Sequence, residues 1–131
     1  MRRGHLIIAV LGIIAFLITG QVMGHHHPKM QLLSPEIRMM YVSRHIYLLG
    51  AVLVNVVMGL YLQEGPPGWR RMLQRMGSLL IIVSAVSLLL AFMMEPALGL
   101  AGRSWRSYFG MIALFAGVMT HAASGFQRKP N

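Results

Sequence analysis

The chain has 131 residues, 56% hydrophobic and only 11% charged, whereas soluble domains carry about 25% charged residues; this leaves room for one domain and too few charges for a water-soluble shell. There is no cysteine, which excludes disulfides, thiolate catalysis and thiolate metal ligation. Twelve Lys and Arg against three Glu give a formal net charge of +9, and because the basic residues fall between apolar runs they point to anionic lipid headgroups and not to nucleic acid.

Four apolar runs succeed one another: Leu6 to Met23, Ile46 to Leu62, Met76 to Met94, and Tyr108 to Ala123. A helix needs about 20 apolar residues to cross ~30 Å of hydrocarbon, with roughly 17–25 the usual range. The first and third runs meet this directly. The second does so if Tyr41, Val42 and the stem of Arg44 extend it, the fourth with Trp105 and Phe126 as interfacial ends. The spacing predicts helices over about 5–23, 35–63, 69–94 and 105–124, a single all-α membrane domain over residues 1–131 built as a four-transmembrane-helix bundle.

The breaks carry their own chemistry. Gly24-His25-His26-His27-Pro28 ends the first helix. Ser34-Pro35-Glu36 supplies an N-cap, a first-turn proline and a carboxylate at the positive helix end. Gly65-Pro66-Pro67-Gly68 reverses the chain, so helices two and three form a hairpin. Pro96 predicts a stop near Glu95, because proline disfavours helical geometry in the residue before it. Gly125 suits the end of the fourth helix.

Seven basic residues (Arg2, Arg3, Arg70, Arg71, Arg75, Arg128, Lys129) fall on one side and five (Lys29, Arg38, Arg44, Arg103, Arg106) on the other. The excess places both termini in the cytoplasm and the chain in the cell inner membrane as a multi-pass protein, with Trp69 and Trp105 at opposite interfaces. Residues 1–24 also carry parts of a secretory signal, namely Arg2-Arg3, an apolar stretch and Val22-Met23-Gly24. Gly12 in its middle and the lack of alanine near its end argue for a retained helix.

In lipid, small residues mark the packed face of a helix. The stripes are Ala9, Gly12, Ala15 and Thr19; Val52, Asn55 and Gly59; Gly77, Ser84, Ser87 and Ala91; and Gly110, Ala113, Gly117, Thr120 and Ser124. Asn55 lies near mid-membrane and needs a partner, for which Ser84 or Ser87 is the expected one.

No run has Asp, Glu, Lys or Arg at its centre, where ion-coupled transporters need an ionisable group, so no catalytic set is assigned and a non-enzymatic role is favoured. Six histidines remain. His5 and His121, at the cytoplasmic ends of helices one and four, are candidate axial ligands for haem b. On the outer side His25, His26, His27, His45 and Glu95, with Met30, Met39, Met40, Met93 and Met94 nearby, are a candidate copper or zinc set. Helix rise separates His45 from His121 by too much depth for them to share one iron. Two readings follow: a non-catalytic accessory, assembly or binding subunit, partnered by lipid and other membrane subunits, or a metal- or haem-binding component of a membrane redox or metal-handling system.

Overall fold

The computed structural model describes residues 1–63, 65, 67–99 and 104–125. Among these the chain is all-helical, with α1 (Arg2–Gly24), α2 (Pro35–Tyr61), α3 (Trp69–Leu98), α4 (Trp105–Gly125) and one 3-10 turn at Met30–Leu32. Glu64, Pro66, Arg103, Phe126, Arg128 and Lys129 lie outside the described residues. Three helices, α1, α2 and α3, are long and apolar enough to cross a membrane.

The start of α2 is as its sequence dictates. Ser34 Oγ accepts from the Ile37 amide, with Pro35 in the first turn and Glu36 at the positive end. The helix stops at Tyr61, two residues before the expected end, and the chain turns extended at Leu62. The buried side chain of Gln74 on α3 holds the turn, since Oε1 accepts from the Gly65 amide at 3.0 Å and Nε2 donates to the Gln63 carbonyl at 3.4 Å. A side chain thus takes the backbone groups that another helical turn would have used.

At the other end of α3, the stop expected near Glu95 comes one turn later. Pro96 lies within the helix, which ends at Leu98. Proline removes one helical N–H, a small loss this near the end, and the Glu95 carboxylate is anchored on two neighbouring helices, which holds its backbone helical. Gly99 then leaves the helix at φ +64°, a conformation that only glycine adopts without strain.

The helices run antiparallel to their chain neighbours. Arg2 of α1 donates to the Gly59 carbonyl of α2 at one end, and Thr19 meets His45 at the other. Ser78 of α3 meets His121 of α4, and Ser87 donates to the Arg106 carbonyl further along. The closest association is α3 with α4, followed by α1 with α2 and α2 with α3.

Small residues make these approaches. Gly12 faces Val52 and Gly59 faces Leu6 between α1 and α2. Between α3 and α4, a Cβ on Gly77 would lie 2.9 Å from the Gly117 carbonyl oxygen, and one on Gly117 would lie 2.8 Å from that of Gly77. Of the stripe expected on α4, Gly110, Ala113, Gly117 and Ser124 are buried and Thr120 is half-buried, and the buried Ser107 extends that face. Bulky residues such as Ile7, Leu17, Leu53, Leu79 and Phe115 point outward, the arrangement lipid permits and water penalises. Trp69 and Trp105 stand exposed at opposite ends, each with the next arginine over its ring.

Candidate functional site

Polar side chains gather at both ends of the bundle interior. At the end where α1 begins and α4 finishes, four helices contribute one residue each: His5, Asn55, Ser78 and His121. His5, Asn55 and Ser78 are buried and His121 is half-buried. His5 Nδ1 lies 2.8 Å from Asn55 Oδ1, and His121 Nε2 lies 3.1 Å from Ser78 Oγ. Asn55 Nδ2 donates to the carbonyls of Ala51 at 2.9 Å and Ile81 at 3.5 Å.

This corrects the expected partners of Asn55. Ser84 turns back onto the Ile81 carbonyl of its own helix, and Ser87 reaches the Arg106 carbonyl. The reason is register. Arg2 sits beside Gly59, so His5, three residues further along α1, is level with Asn55, four residues back along α2.

At the opposite end a buried ion pair ties three helices. Arg44 Nε of α2 lies 2.9 Å from Glu95 Oε2 of α3, with the two side chains 11% and 2% exposed. Glu95 Oε1 also accepts from the Ser107 amide at 2.9 Å, and Oε2 from the Ser107 hydroxyl. Ser107 is in the first turn of α4, so the carboxylate caps the positive end of that helix from another helix. Arg44 spreads its remaining donors over Ser43 Oγ and Ser104 Oγ. A cavity of about 300 Å³ opens beside this pair, lined by Tyr47, Tyr108, Met111 and the two serines 104 and 107.

Glu95 is therefore turned toward Arg44 and α4, away from the histidine loop with which the sequence grouped it. His45 bonds Thr19 Oγ1 through Nδ1 at 3.0 Å and stacks on Phe16 at 4.0 Å between ring centres. His25 contacts the Gln21 carbonyl, His26 contacts the Pro28 carbonyl and the Tyr41 hydroxyl, and His27 is exposed. Met40 packs inward while Met39 and Met93 face outward. Among the described residues no three His, Asp or Glu side chains come together as a metal site. His5 and His121, the expected haem pair, are at the same end of the bundle and are engaged with Asn55 and Ser78 respectively.

Sequence reasoning missed Arg44 and Gln74. The signal for Arg44 was a charge just before the start of one apolar run, with a carboxylate just after the end of another. Gln74 stands as an unmarked polar residue between arginines. No family model, no curated protein and no solved structure matches the chain.

Proposed function

We propose that the chain is a multi-pass protein of the cell inner membrane, with four spanning helices and both termini cytoplasmic, and that it serves as a non-catalytic accessory, assembly or binding subunit. The observation that carries this reading is how the buried charges are used. The carboxylate of Glu95 accepts three hydrogen bonds and the guanidinium of Arg44 donates three, all to groups of the bundle itself. A carboxylate so engaged is a tie between helices, whereas a general acid or base needs a free position toward its substrate. The packing of α4 against α3, from Ser78 with His121 to Ser87 with Arg106, supports a fourth span. The basic residues at the helix ends suit anionic headgroups, and the cavity between α2 and α4 offers hydroxyls where a polar group of a partner subunit would seat.

Extracted from its native membrane in mild detergent, the protein is expected to migrate on native gels in stoichiometric association with other membrane polypeptides, well above its own 14.6 kDa. Isolation as a lone chain carrying stoichiometric haem or copper would contradict the accessory role.

A further inference from the structure

The Asn55 amide fixes which nitrogen of His5 carries a hydrogen. Its Nδ2 is spent on two backbone carbonyls, which only accept, so Oδ1 is the atom that faces His5 Nδ1. An amide oxygen accepts, so Nδ1 bears the hydrogen and Nε2 of the neutral ring bears a lone pair. His5 is fully buried, and its Nε2 is sealed from solvent with no hydrogen-bond partner among the described residues. A second imidazole, His121 of α4, is held by Ser78, one turn of α3 from the Ile81 carbonyl that takes the Asn55 amide. Intramembrane ionisable groups are costly and mark proton and ion sites more often than packing.

We propose that His5, Asn55, Ser78 and His121 form an intramembrane proton-binding site. A proton from water at the end of the bundle that carries Arg2 adds to the Nε2 lone pair, forming one N–H bond and a single positive charge on the His5 ring. Nδ1–H remains on Asn55, and like charge opposes a second proton on His121. The described cationic and imidazole groups at this end are the terminal amine, Arg2 and Arg3 on α1, Arg70, Arg71 and Arg75 on α3, and His121 on α4. Asn55 represents α2, and the described carboxylates, Glu36 and Glu95, are at the other end. These described groups are all cationic or neutral, which opposes any added cation, proton or metal, so the site fills only on acidification. This goes beyond the accessory role and stands or falls separately from it.

The test is nitrogen NMR of the full chain, 15N-labelled at histidine, in phosphatidylethanolamine–phosphatidylglycerol nanodiscs, titrated across the ordinary imidazole range near pH ~6.5. At the upper end His5 is expected to show a protonated Nδ1 and a bare Nε2. On acidification it becomes doubly protonated while His121 stays neutral. Asn55→Leu is expected to abolish the single tautomer of His5, with the His45 signals unchanged as evidence of an intact fold. If that variant does not fold, the wild-type titration of His5 against His121 decides alone. A hydrogen on Nε2 at the upper end, a His5 that never titrates, or both rings charging together would overturn the proposal. So would a Soret band or bound copper that is lost in His5→Gln, which would assign Nε2 to a metal.

Discussion

Replacing Glu95 by alanine is expected to destabilise the folded bundle by about 3–5 kcal/mol, the range for breaking a buried ion pair from one side. The loss comes from what is left behind. The Arg44 guanidinium is 11% exposed and would have no counter-ion, and the Ser107 amide at the start of α4 would lose its acceptor. The pair alone is not the source of the number. Two charges removed from water cost about as much as their attraction returns, so the double variant Arg44→Met with Glu95→Leu is expected to recover most of the loss. Unfolding followed by helical signal in detergent, for both single variants and the double, measures this directly. Additive effects, with the double variant as unstable as the sum of the singles, would show that Arg44 and Glu95 act independently.

The second large effect is expected at Gly117. A Cβ there would stand 2.7 Å from Ile81 Cγ1, 2.8 Å from the Gly77 carbonyl oxygen and 3.1 Å from the Ile81 amide nitrogen. Two of these three atoms are backbone, so no rotamer change relieves the contact and α3 must move away from α4. Overpacking of this kind costs about 1–3 kcal/mol for small additions. Gly117→Leu is expected to exceed Gly117→Ala, and both should lower the thermal midpoint in detergent. Gly50→Ala is the control. It is in mid-helix with nothing within 4 Å of the new carbon, and should be neutral or stabilising by up to about 1 kcal/mol through helix propensity. Equal responses at Gly117 and Gly50 would mean that the α3–α4 contact is not close-packed.

The helices and their packed faces were legible because they depend on local rules. Apolar runs of membrane length, glycine and serine at helical spacing, and the Ser34-Pro35-Glu36 cap all act within a few residues of one another. Ties between helices were less legible, because they depend on register. Placing His5 at the membrane surface from the edge of its apolar run set it apart from Asn55, and only the contact of Arg2 with Gly59 puts the two level. Glu95 read as the polar end of α3 because Pro96 follows it, and so it was grouped with the outer histidines. Its partners, Arg44 and Ser107, are 51 and 12 residues away. The available clue was an ionisable group at the very edge of an apolar run, His5 before Leu6 and Glu95 after Met94.

Four membrane-crossing helices, as proposed, would put the His25–His27 loop on one side and residues 65–68 with both termini on the other. The chain has no cysteine, so single substitutions each provide one reactive thiol. Lys29→Cys is expected to react with a membrane-impermeant maleimide in intact cells with the outer membrane opened. Arg3→Cys, Arg70→Cys and Asn131→Cys are expected to react only after the inner membrane is permeabilised. Labelling of Asn131→Cys on the same side as Lys29→Cys would contradict the fourth span, and with it the account of Glu95 as the buried cap of a membrane helix.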